Sequence, residues 1–198
     1  MRFKHVITAA LSGALLAGCA GGGPPPATFD LAAPRVMTLT APKPARFQLV
    51  VEEPTAVRAL ETDRIMVKPG GAQITYYKGA VWSDRLPHLM QARMVEAFQN
   101  TGLVSAVGSR ADRLDADMEM TSQLRAFHVE INGGQATAHA SLYIKLIDGK
   151  TGRMIASRGF ESQVATSKSD VSQMVTSLNE AFDQVLHQAV PWVAKRKI

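Results

Sequence analysis

The stretch Leu114-Asp115-Ala116-Asp117-Met118-Glu119-Met120-Thr121-Ser122-Gln123-Leu124 places Leu114, Ala116, Met118, Met120 and Leu124 at even positions and polar residues, mostly acidic, at the odd ones. A period of two is the mark of a strand with one face in a core and the other in water. The pattern returns twice downstream. Ala138, Ala140, Leu142, Ile144 and Leu146 repeat it after Asn132-Gly133-Gly134, and Met154, Ala156 and Phe160 repeat it after Asp148-Gly149-Lys150-Thr151-Gly152. Both interruptions have turn chemistry, so an antiparallel three-stranded meander with one buried face is predicted.

Helical spacing lies on both sides of this meander. Leu86, Leu89, Met90, Met94, Ala97 and Phe98 form one stripe, opened by Ser83 or Asp84 as cap, with Pro87 in the first turn and Gly102 as the stop. A second stripe, Val171, Met174, Val175, Leu178, Phe182, Val185, Leu186 and Ala189, predicts a helix over about 170–189, ended by Pro191. Upstream, Phe47, Leu49 and Val51 alternate in a strand that Pro54 closes, and Arg64–Lys68 with Gln73–Lys78 flank the turn Pro69-Gly70-Gly71. A short strand is expected over 103–107. Two amphipathic helices on one face of a mostly antiparallel sheet define an α+β two-layer domain.

The amino terminus obeys different rules. Arg2 and Lys4 precede an apolar run from Val6 to Ala17 that is short for a membrane span, and the run ends in Leu16-Ala17-Gly18-Cys19. Residues 1–18 therefore read as a signal peptide. The four-residue ending resembles the bacterial lipobox, which makes Cys19 the lipidation site; it is the one cysteine of the chain, so neither an internal disulfide nor a Cys-based metal cluster is available. Ala20, where an aspartate would signal retention at the inner membrane, favours the outer one by that resemblance. Residues 19–45 are rich in Gly, Pro and Ala and read as a tether, with Phe29 and Leu31 able to dock as an early strand or an apolar plug. As a coil from Cys19 to Arg46 this segment would span roughly 26–31 Å root mean square. Residues 46–198 carry the domain.

Of 198 residues, 46% are hydrophobic, enough for one medium-sized core. The formal charge of +5 falls by two when Arg2 and Lys4 are removed with the leader. Nucleic acid is excluded as a partner because the remaining charge is scattered; the one basic run, Lys195-Arg196-Lys197, reads as a solvated end.

Gly149-Lys150-Thr151 looks like the end of a phosphate loop, but Ile144 stands where that loop needs glycine, so it reads as a hairpin turn. Asp112, Asp115, Asp117 and Glu119 read as a solvent face rather than an acid–base pair. Tyr76, Tyr77 and Trp82 read as packing. For His128 and His139 the hairpin register decides. A two-residue turn at Gly133-Gly134 would pair them as a zinc-type or pH-sensing couple, but would set the core face of one strand against the wet face of the other. A three-residue loop over 132–134 instead pairs Leu124 with Leu142 and Met120 with Leu146, and puts the histidines on opposite faces. That register is the expectation, although Phe127, Val129 and Ile131 blur the alternation near the turn in the way a bulge would. No catalytic residue, cofactor site or metal site is assigned.

Phe29-Asp30-Leu31, the Tyr76-Tyr77 strand, Trp82-Ser83-Asp84-Arg85-Leu86-Pro87, the helix end near Thr101-Gly102-Leu103, Asp117 to Leu124 and the Asp148–Gly152 turn together resemble the ABC-type transport auxiliary lipoproteins, which include the paraquat-inducible protein C-like lipoproteins. The resemblance implies a non-catalytic, periplasm-facing docking subunit, lipid-anchored at the outer membrane, that works with an MCE-domain protein and an ABC permease and ATPase in intermembrane lipid transport. It is compatible with a homo-oligomer. The alternative reading is an independent envelope lipoprotein that binds lipid or assists outer-membrane assembly.

Overall fold

The computed structural model describes residues 24–34 and 45–196. The strands are β1 (Ala27–Phe29), β2 (Ala45–Val51), β3 (Thr55–Ala56), β4 (Arg64–Lys68), β5 (Thr75–Trp82), β6 (Val104–Gly108), β7 (Met118–Asn132), β8 (Gln135–Asp148) and β9 (Met154–Thr166). Helix α1 (Leu86–Thr101) lies between β5 and β6, and α2 (Val171–Ala194) follows β9.

The long strand β7 organises the sheet. Along one side it pairs antiparallel with β8 over its whole length, and β8 pairs antiparallel with β9. Along the other side it seats three short strands in succession, all parallel: β2 at Met118–Met120, β3 at Gln123–Leu124 and β4 at Val129–Glu130. Beyond these, β6 adds parallel to β2, β5 antiparallel to β4, and β1 parallel to β5. The expected meander is present and carries most of the ladder. The rest of the sheet is mixed, because strands joined by helical or long connections are free to run parallel.

Both helices pack on one face, giving the α+β two-layer domain. Every residue of the predicted α1 stripe is buried, and so is the α2 stripe from Met174 onward. The two layers meet at Phe127, whose ring lies 6.1 Å from Phe182 of α2 and 5.8 Å from Trp82.

Three local expectations are corrected. Neither Ser83 nor Asp84 caps α1: its N-cap is Arg85, the first helical N–H of Leu86 donates to the carbonyl of Thr62, and Pro87 has none to satisfy. Pro191 does not end α2. The helix continues to Ala194 because Trp192 and Val193 are buried there, Trp192 edge-on to Phe160 at 5.4 Å, and this apolar burial outweighs the hydrogen bond that proline removes. Met154 is exposed rather than in the core, because the register slips between the Leu146–Ala156 and Ile147–Met154 pairs and turns it to the other face.

The Asp148–Gly152 turn binds itself together. Asp148 Oδ1 accepts from the N–H groups of Lys150 and Thr151 and from the Thr151 hydroxyl, and these bonds hold its pKa below the ordinary carboxylate value. Gly149 N–H donates to the carbonyl of Asp117 at 2.9 Å, and a Cβ at Gly149 would fall far inside van der Waals contact with the Ala116 carbonyl oxygen. Because that neighbour is backbone, Gly149→Ala is expected to destabilise the protein by about 1–3 kcal/mol, read as a lower urea midpoint at unchanged slope.

Candidate functional site

Two regions bring the singled-out residues together. The first is a clasp around the amino-terminal segment. Phe29 pairs with Trp82, Ser83 N–H donates to the Phe29 carbonyl at 2.7 Å, and Leu31 is only 1% exposed. Asp30 accepts from the Ser83 hydroxyl at 3.1 Å and forms an ion pair with Arg93 of α1 at 3.0 Å. Asn179 of α2 accepts from Ala32 N–H, and Asn100 of α1 donates to the Pro34 carbonyl. Phe29 and Leu31 thus act as early strand and plug at once, held by both helices. The Trp82–Pro87 motif is the other half of this clasp: Trp82 is core, Ser83 holds the incoming segment, Asp84 holds His88 at 2.6 Å, and Arg85 reaches Glu53 at 2.8 Å.

Cys19 lies outside the described residues; among those described the sheet begins at Ala27, eight residue steps from Cys19, and not at Arg46, the expected start of the domain. Eight steps reach at most about 26–29 Å fully extended.

The second region is the sheet face opposite the helices. Arg110 forms ion pairs with Glu52 and, at 3.2 Å, Glu119, closing one end of a polar groove of about 490 Å³ along Thr121, Gln123, Tyr143 and Lys145. Three of the four acidic residues, Asp112, Asp117 and Glu119, are occupied structurally. Asp117 accepts from Gln48 N–H and pairs with Lys150, and Asp112 accepts from Ser109, so both carboxyls titrate below their ordinary range. Tyr76 and Tyr77 part company, the first donating to the Ala59 carbonyl and the second to that of Ser169 just before α2.

Farther along this face the histidine expectation is overturned. Leu124 does pair with Leu142, and Met120 with Leu146, but the register shifts between Leu124 and Ala126, and beyond it His128 pairs directly with His139 and Asn132 with Gln135. Both registers considered from the sequence coexist on either side of a bulge at Arg125. Gly133 (φ 56°) and Gly134 (φ 87°) supply the two left-handed residues that the tight turn needs. Past the bulge odd residues face the helices, so Phe127 and Val129 stay in the core while His128 and Glu130 turn to the opposite side of the sheet, where His128 is still only 5% exposed and Glu130 is half-buried. Arg125 itself lies exposed with its guanidinium 4.1 Å over the Tyr143 ring.

The two imidazoles stack at 5.2 Å with planes 3° apart, and Glu130 Oε2 is 3.4 Å from His139 Nε2. Burial, aided by the Lys68 ammonium and by His139 and opposed by Glu130, lowers the His128 pKa to about 4. It is therefore a neutral imidazole at physiological pH. Glu130 and Lys68, neighbours across β7 and β4, were not singled out from the sequence; the run Phe127, Val129, Ile131 was the signal, since it shows the core face changing parity.

The architecture defines a clasped two-layer module, and among the described residues no helix is long and apolar enough to cross a membrane. The chain belongs to the ABC-type transport auxiliary lipoprotein component family, whose pattern it matches over residues 29–190, the clasp included. The family is one of transport auxiliary lipoproteins and names no reaction. The crystal structure of protein XCC0632 from Xanthomonas campestris is similar at 26% identity with a TM-score of 0.77, covering 84% of this chain and 94% of that one. A hypothetical protein, CT253 from Chlamydia trachomatis, shares the fold at 8% identity with a TM-score of 0.53, over 76% and 96% of the two chains. An uncharacterized protein of Bradyrhizobium diazoefficiens, bll6063, is 29% identical over 174 residues, 87% of this chain. The chain spans 46% of the length of that curated relative.

Proposed function

We propose that this protein is a lipid-anchored, non-catalytic docking subunit of an MCE/ABC-type intermembrane lipid transport system, facing the periplasm from the outer membrane. The family match over residues 29–190 carries the reading. The Leu16–Cys19 lipobox-like run and Ala20 support the anchor and its membrane. With eight residue steps between Cys19 and β1, anchoring keeps the β1–β5 edge within about 29 Å of the lipid, so the domain is a short-range fixture and not a long-range sampler. Anchoring also raises its effective concentration toward a partner that reaches across the periplasm, so a modest interface suffices. The ionisable side chains along the groove, Glu52, Arg110, Glu119 and Lys145 among them, suit protein contact better than an acyl chain.

The test is genetic and biochemical. The protein cross-linked in membranes should recover an MCE-domain protein together with the permease and ATPase. Deleting its gene should reduce tolerance of membrane-perturbing agents as much as deleting the transporter does, and the double deletion should be no worse. Additive defects, or bound lipid recovered without any transporter component, would instead indicate an independent envelope lipoprotein.

A further inference from the structure

We propose that His128, Glu130 and His139 form a binding site for one divalent transition cation of the zinc class on the sheet face away from the helices. The two histidines are directly paired residues of β7 and β8, so the ladder and not a loop sets their spacing. Their rings stack face to face, in planes parallel within 3° and with centroids 5.2 Å apart. Glu130, two residues along β7, presents its carboxylate on the same face. One ligand atom from each residue can be chosen so that all three lie within 4.8 Å of one another.

A tetrahedral ion with bonds of ~2.0–2.1 Å keeps its ligand atoms about 3.3 Å apart. The Glu130–His139 edge is already at 3.4 Å. The remaining ligand atom has to close by at most about 1.5 Å, within the reach of side-chain rotation on an unchanged backbone. Two imidazoles and one carboxylate are the donor set of zinc-type ions, whereas calcium and magnesium call for oxygen ligands throughout. The side chains of His139 and Glu130 are 20% and 29% exposed, which leaves a path for the ion and a water position for the fourth ligand. Lys68, beside Glu130 in register, opposes a cation.

The inference is independent of the transport reading. Untagged protein titrated calorimetrically with Zn²⁺ should take up one ion per chain, and Co²⁺ should give the visible absorption of a tetrahedral site. At zinc 100-fold above its Kd, the melting temperature should rise by roughly 5–10 °C. His139→Ala and Glu130→Gln, both at partly exposed positions, should weaken Zn²⁺ binding by about 100-fold or more while melting like the parent in chelator. Lys68→Gln should tighten it. No zinc-dependent change in melting, or undiminished affinity in His139→Ala, as adventitious binding at His88 or His187 would give, overturns the assignment.

Discussion

Cys19→Ala is expected to transfer the protein from the membrane fraction to the soluble periplasmic fraction without changing its circular dichroism. Each buried methylene of an acyl chain contributes about 0.8 kcal/mol, and a single chain gives only marginal attachment, so the two or three chains of a lipidated cysteine decide partitioning almost completely. No helix among the described residues offers a substitute span. The fold should survive the change because, among the described residues, the amino-terminal segment is held by contacts at Ala27 to Leu31, beyond the substituted residue. Mass spectrometry of the mature wild-type protein should find a diacylglyceryl cysteine at its amino terminus. An unmodified terminus at another residue, or membrane retention of Cys19→Ala, would remove the anchor from the functional reading.

Phe182→Ala should cost about 3–5 kcal/mol, a large part of the ~5–15 kcal/mol that stabilises a domain of this kind. Phe182 has no exposed surface and sits edge-on to Phe127, which also touches Trp82, so one side chain joins α2, the meander and the clasp. Truncation leaves a cavity that three elements would have to move together to fill. The melting temperature should fall by roughly 10 °C or more, with Phe182→Leu recovering most of the loss. A change of less than about 1 kcal/mol would mean that this junction is not where the layers are held.

The His128–Glu130–His139 cluster and the clasp show how a candidate site can hide from a periodic reading. The histidine pair required a bulge at Arg125, and nothing in Arg125 itself announces one. What the bulge accomplishes is visible only from both ends of the hairpin: it reconciles a two-residue Gly133-Gly134 turn with core pairing at Leu124–Leu142. Each end taken alone implies a different register, and choosing one for the whole hairpin puts the histidines apart. Likewise Asp30 and Arg93 are 63 positions apart, and their ion pair exists because β1 returns along β5 past the start of α1.

By itself the sequence determined the two helical stripes, the alternating strands of the meander, the turns between them and hence an α+β domain with one buried face. These are consequences of local period and backbone conformation, and burial enforces them wherever the chain goes. Only the tertiary structure decided which strands lie side by side. The parallel seating of β2, β3 and β4 along β7 depends on long-range pairing. So does the continuation of α2 through Pro191, where Trp192 finds Phe160, a contact that no local rule contains. The docking of residues 27–34 is of the same kind, since a short Gly/Pro-flanked segment has little propensity of its own and takes its structure from β5 and the two helices. Local preferences are worth tenths of a kcal/mol per residue, and burying one large side chain about 1.5–3 kcal/mol, so where the two disagree the packing prevails.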